Sequence, residues 1–124
     1  MKFLGNVNLF HGRIEAGKAV FGPLVMDAPA GGQIDGKSAK LFIRPHDLDI
    51  RLPTDPAGAS GLAARVVRVQ SAGPVVKVEL VTDDGKPVSV ELAHERYRRI
   101  PLTEGMAVRV TPRDARVFVE EYSI

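Results

Sequence analysis

The sequence predicts an all-β fold, a small barrel or sandwich, and three observations carry that prediction. Apolar and polar residues alternate at a period of two in several short runs, the pattern of strands with one buried face. Twelve Gly and nine Pro in 124 residues place a turn signal between most of those runs. No stretch sustains a 3.6-residue period long enough for a substantial helix. Short strands at roughly 8–12-residue spacing are the mark of barrels and sandwiches.

Taken in order, residues 3–15 hold apolar stretches, and Ala16-Gly17 turns the chain into a strand over 18–21. A further short strand is expected over 23–26. Residues 27–37 are rich in Gly, Pro and Ala and read as a loop. Lys40-Leu41-Phe42-Ile43-Arg44 is a compact strand that ends at Pro45, and His46-Asp47-Leu48-Asp49 follows as a polar turn. Residues 52–61 carry two Pro, two Gly, Ser and Thr and read as a linker.

The second half is more regular. Over 62–70 the alternation slips: Leu62, Ala64 and Val66 share one parity, Val67 and Val69 the other. A β-bulge or a strongly coiled strand accounts for the shift. Ala72-Gly73-Pro74 turns into the clearest hairpin of the chain. Val76, Val78 and Leu80 point one way in its first strand, and Val88, Val90 and Leu92 in its second. Between them Thr82-Asp83-Asp84-Gly85-Lys86 supplies an Asp-Gly turn. Residues 93–99 allow a turn of helix. Met106, Val108 and Val110 mark another strand, and Pro112-Arg113-Asp114 leads to a last one over 115–120.

Composition narrows the function. A 44% hydrophobic and 26% charged chain is neither disordered nor fibrous. The net charge of +2 is too small for a nucleic-acid-binding stripe. Cysteine is absent, which removes disulfides, thiolate catalysis and thiolate metal sites. No apolar run approaches the ~20 residues of a membrane span, and the N-terminus lacks the apolar core of a signal peptide. The phosphate-cradling patterns of nucleotide-hydrolysing and dinucleotide-binding proteins are missing; Gly31-Gly32 has no helix or lysine at the required spacing. His11, His46 and His94 are too scattered for a zinc set. His46-Asp47-x-Asp49 reads as a polar turn in preference to a hard-cation cluster. Asp83-Asp84 and Glu120-Glu121 read as turn and strand-end residues, and no serine sits in a nucleophile elbow. His94-Glu95-Arg96-Tyr97-Arg98-Arg99 is the most charged stretch. Its Arg forks suit an anion or an acidic partner, against the simpler reading of a solvated face paired with Glu95 and Glu104.

Three segments carry a family resemblance: Phe3-Leu4-Gly5-Asn6-Val7-Asn8, Gly12-Arg13-Ile14, and Leu41-Phe42-Ile43-Arg44-Pro45-His46-Asp47-Leu48-Asp49-Ile50. Together they resemble the part that follows the ATPase domain in ATP-binding subunits of ABC importers. There an F-(L/I)-G-x-x-N element opens the C-terminal region and an (I/L/V)-R-P strand follows about forty residues later. Residues 62–119 resemble the transport-associated OB-like (TOBE) barrel that closes these subunits. Within the family the match is nearest to the sulfate/thiosulfate importers.

The resemblance implies an OB-like small barrel of TOBE type with an additional N-terminal β-segment packed on it. Its parts would be that segment over 1–52, a linker over 53–61 and the barrel over 62–121, the halves sharing one β-core. It implies a non-catalytic regulatory or dimerising module of a larger subunit. ATP and Mg would be bound by the ATPase domain, not here. The partners would be that domain, a second copy of the subunit in a homodimer and, indirectly, permease subunits at the cytoplasmic face of the inner membrane. A role in sensing sulfate or a related oxyanion would follow the OB-like domains of molybdate systems. For such a site Arg65, Lys77, Arg96 and Arg98 are the candidates by charge, with Arg44 assigned to structure at its strand end. The competing readings are a free-standing oxyanion-binding protein of the molybdate/tungstate type and an oligonucleotide-binding barrel. The second is disfavoured because only seven aromatics exist and five are Phe, mostly in strand-like runs.

Overall fold

In a computed structural model, residues 7–27, 36–56, 61–113 and 116–119 are described. The opening Phe3-Leu4-Gly5-Asn6 motif, Gly31-Gly32, Glu120-Glu121 and residues 57–60 of the expected linker lie outside them. The described residues form ten strands, one 3-10 turn and one short helix. The strands and the helix are β1 Asn8–Glu15, β2 Lys18–Phe21, β3 Leu24–Asp27, β4 Ser38–Ile43, β5 Leu48–Arg51, β6 Leu62–Ala72, β7 Val75–Thr82, β8 Pro87–Ala93, α1 His94–Arg99, β9 Ala107–Pro112 and β10 Arg116–Val119.

The hairpin over β7 and β8 forms as the alternation requires. Val76, Val78, Leu80, Val88, Val90 and Leu92 are all buried, and Val78 pairs with Val90. Gly85 takes the left-handed conformation, φ +88°, and its N–H bonds Thr82 O at 2.9 Å to close the turn. The β6 parity slip is a register shift against β7 between Val66 and Arg68, which leaves Val67 50% exposed.

One strand departs from the sequence reading. Behind Pro45 the chain makes a single 3-10 turn over Pro45–Asp47 and then resumes as β5. The polar turn is therefore only three residues long, and Asp49 lies inside a strand. Residues 52–56 begin the connection from β5 to β6, two strands of the same sheet.

The strands build two antiparallel five-stranded sheets. Their orders are β10-β4-β1-β2-β3 and β5-β9-β6-β7-β8. Adding five to each strand number of the first sheet, counted around the ten, reproduces the second. Each half thus supplies four consecutive strands to its own sheet and lends its fifth to the other. A sequence echo marks the crossing points: Ile43-Arg44-Pro45-His46-Asp47 precedes β5, and Val110-Thr111-Pro112-Arg113-Asp114 precedes β10. Both prolines end a ladder that their missing N–H cannot extend.

Sheet edges meet in the second sheet, where β5 and the 3-10 turn pack against β8 and close a small barrel. Ile14, Leu41 and Ile43 of the first sheet belong to one apolar cluster with Leu48, Ile50, Leu80, Leu92, Val108 and Val110 of the second. Each such side chain contributes about 1.5–3 kcal/mol by burial. In the first sheet Gly12 is fixed by crowding, because a Cβ there would lie 2.0 Å from Val20 O and 2.6 Å from Phe21 Cδ1.

Candidate functional site

Of the three buried polar residues among those described, Asn8 and Asp49 lie near where the halves exchange strands, and Thr82 lies at the β7–β8 turn. Asp49 sits on β5 between Leu48 and Ile50, which face the core, so its own side chain turns to the opposite face. Its side chain is only 9% exposed. A carboxylate buried to that extent costs several kcal/mol unless it is paired. Here Oδ1 accepts hydrogen bonds from Ile50 N–H at 2.9 Å, Arg96 Nε at 3.0 Å and Arg113 Nη2 at 3.3 Å. Oδ2 lies 3.7 Å from Arg51 Nη2, and Arg51 also donates to Asp55 at 3.2 Å. One carboxylate therefore ties together β5, α1 and the turn after β9.

Helix α1 is held at three points. Arg96 Nη2 donates to Ile50 O at 2.8 Å, Tyr97 OH donates to Leu102 O at 3.2 Å, and His94 Nε2, in its Nε2–H tautomer, reaches Gly73 O at 2.8 Å. The charged stretch read from the sequence is thus half tether and half surface. Arg96 pairs with Asp49, while Arg98 and Arg99 face solvent.

A second polar link joins the two sheets directly. Asn8, 8% exposed, donates from Nδ2 to Ser89 O at 2.8 Å and accepts Ser89 N–H on Oδ1 at 2.8 Å. Nδ2 also donates to Ile43 O at 3.2 Å. The side-chain amide thereby supplies the edge strand β8 with the donor and acceptor that a neighbouring strand would have given.

The four cations selected from the sequence do not share one site. Arg65 is exposed on β6 and donates to Gly105 O at 2.9 Å. Lys77 is exposed on β7. Arg65 registers with Val81, four residues along β7 from Lys77, which is about 13 Å at strand rise. Arg98 stands on the exposed side of α1, and Arg96 is turned inward to Asp49. Sequence reasoning missed Asn8, Asp49, Arg51 and Arg113. The available signal for Asp49 was an acid between two apolar residues of like parity, the mark of a strand with a polar partner on its other face. Among the described residues no group of His, Asp and Glu is arranged to hold a metal ion, and no helix is long and apolar enough to cross a membrane.

Comparison with known proteins assigns both halves. Residues 8–50 match the family model of the CysA C-terminal regulatory domain, and residues 56–113 that of the TOBE-like domain. The chain is 38% identical over 120 residues to the sulfate/thiosulfate import ATP-binding protein CysA of Nitrosomonas europaea, covering 94% of the chain and 33% of that protein. The protein of the same name from Ralstonia nicotianae is 40% identical over 126 residues, with coverages of 95% and 33%. One from Bacillus cereus is 36% identical over 120 residues, with 96% and 33%. The chain spans about a third of the length of these relatives. Its fold is similar to that of the cytoplasmic molybdate-binding protein ModG in a molybdate-bound crystal form. The TM-score is 0.72 at 14% identity, covering 94% of this chain and 99% of that one. At that identity the likeness speaks for the OB-like fold alone.

Proposed function

The chain belongs to the family of CysA C-terminal regulatory domains completed by a TOBE-like domain, and on that premise we propose that it regulates the ATP-binding subunit of a sulfate/thiosulfate importer. The observation that carries this reading is the order of the two family matches on one chain, 8–50 and then 56–113, within relatives that are three times longer. In this reading ATP and Mg are bound by the ATPase part of the subunit, which pairs with a second copy beneath the permease subunits on the cytoplasmic face of the membrane. The chain performs no chemistry itself. It acts by favouring one arrangement of the ATPase dimer over another, and a ligand shifts that balance only through unequal affinity for the two.

The finer proposal is that sulfate or a related oxyanion is the ligand. Arg65, Lys77 and Arg98 are outward-facing cations open to an anion, and Arg96 joins them only by giving up Asp49. Calorimetric titration of the chain with sulfate, thiosulfate and molybdate at low ionic strength tests it. Saturable heat that disappears in Lys77→Ala supports a sensor. No heat with any of the three, in a folded sample, removes the sensor and leaves a structural regulator.

The second reading, a free-standing oxyanion-binding protein, is favoured by the fold shared with ModG over 99% of that chain. Tight binding by the isolated chain, with no effect on hydrolysis by an ATP-binding subunit that carries it, would select this reading over the first.

A further inference from the structure

A cleft of about 330 Å³ opens between residues of the two sheets, and its Arg109 is the cross-strand partner of Arg51 beside Asp49. Its apolar lining comes from both: Phe10 and Phe21 from the first sheet, Leu62 from the second. All three are otherwise buried, at 6%, 3% and 8% exposure. The Arg, Lys and Asp residues of the rim belong to the second sheet, and His11, Gly22 and Pro23 of the first sheet complete it. Arg109 of β9 and Lys86 of the β7–β8 hairpin bring two cations, and Asp83 and Asp84 of the same hairpin bring two carboxylates.

Size and charge together define what fits. The volume lies at the lower end of small-molecule sites, and a four-oxygen dianion would occupy only a fraction of it. The rim charges balance, so the cleft offers a dianion no net attraction. It offers both signs instead, Arg109 on β9 and Asp83, Asp84 and Lys86 on one hairpin, around an apolar floor. Arg109 makes one hydrogen bond among the described residues, Nη1 to Gly61 O at 3.3 Å, which leaves most of its fork for a carboxylate. Asp84 stays ionised, because the Thr82 hydroxyl donates to it and holds its carboxyl below the ordinary range.

We propose that this cleft binds a small zwitterion with an apolar body, of the free α-amino acid class. The ligand carboxylate meets Arg109 and Lys86, its ammonium meets Asp83 and Asp84, and its side chain covers Phe10, Phe21 and Leu62. The proposal is independent of the oxyanion reading, since it uses none of Arg65, Lys77, Arg96 or Arg98. Because the walls come from both sheets, occupancy also fastens the halves together.

The test is amide chemical-shift mapping and thermal unfolding of the full chain with L-leucine, L-methionine and L-phenylalanine. N-acetyl-leucine amide, which lacks both charges, and sodium sulfate are run beside them. At least one amino acid is expected to give saturable shifts at His11, Gly22, Ala63 and Arg109, and a Tm that climbs with its concentration. Lys86→Glu, an exposed hairpin substitution, weakens that binding about tenfold or more, and Arg109→Gln does the same where it folds. The proposal is overturned if no amino acid perturbs these amides, if the blocked amide binds equally well, or if sulfate alone produces the shifts.

Discussion

Asp49 is the residue on which the most partners depend. Asp49→Asn removes the charge that three arginines share and is expected to cost about 3 kcal/mol, the usual loss when a buried ion pair loses one member. Urea unfolding measures it. Arg96→Ala should cost less, and the double variant little more than Asp49→Asn alone, because both act through the same contacts. Gly12→Ala is expected to destabilise by about 2 kcal/mol, since the new methyl meets the Val20 carbonyl, which cannot move without parting β1 from β2. At low pH two surface carboxylates contribute. Lys18 holds Asp27, and Thr82 holds Asp84, below the ordinary value of 3.8. Their contribution is present above that value and is lost as pH falls through the lower folded ones. Lys18→Ala should therefore make the acid limb of a stability-versus-pH curve shallower. At this scale the sequence disclosed which side chains are core, because alternation is local. It did not disclose that Arg96 is a tether, since its partner lies 47 residues away.

Hairpins were the most legible elements. The β7–β8 pair is written in consecutive residues, with its inward set, its turn and its register all within reach of one another. The β6 bulge was equally visible as a change of parity. β5 was not. It has four residues, carries Asp49 at its centre and follows a proline, so period and propensity both favoured a turn. What makes it a strand is the waiting edge of β9, where Leu48 to Arg51 pair with Pro112 to Arg109. β10 was legible as a last strand over 115–120, but not its partner β4, which lies more than seventy residues back. Two outcomes follow from this exchange. Asn8→Ala strips Ser89 of both backbone partners, and the expected loss is about 2 kcal/mol, with hydrogen exchange at the Ser89 amide accelerated ahead of its β8 neighbours. Removing the chain from residue 114 onward should expose the β4 edge. Amides over Ser38–Ile43 then lose protection, while β6 to β8, whose fifth-strand support comes from β5, keep theirs.

As a whole the molecule is two similar sheets, each completed by the other half. Neither can be removed without opening the edge of its neighbour, and their apolar residues form one cluster. A single cooperative unfolding transition is expected, seen as coincident curves by near- and far-ultraviolet circular dichroism. Such a body suits a regulator. Its halves are joined by strands, by the Asn8–Ser89 link and by the Asp49 cluster. The family assignment was readable from two motifs in the first half, the barrel-or-sandwich class from the strand pattern, and the OB-like type only through the family resemblance. The duplicated, strand-exchanged plan was hidden, because only the Pro-x-Asp sequences before β5 and β10 keep a visible likeness. The regulatory reading is tested most directly by ATP hydrolysis in an assembled importer whose ATP-binding subunit ends in this chain, with the chain present or deleted, as sulfate on the cytoplasmic side is raised. Hydrolysis is expected to fall with sulfate when the chain is present and to stay level when it is deleted, the basal rate surviving in both. Equal responses with and without it, or hydrolysis abolished outright by the deletion in a folded subunit, would contradict regulation by sulfate through this chain.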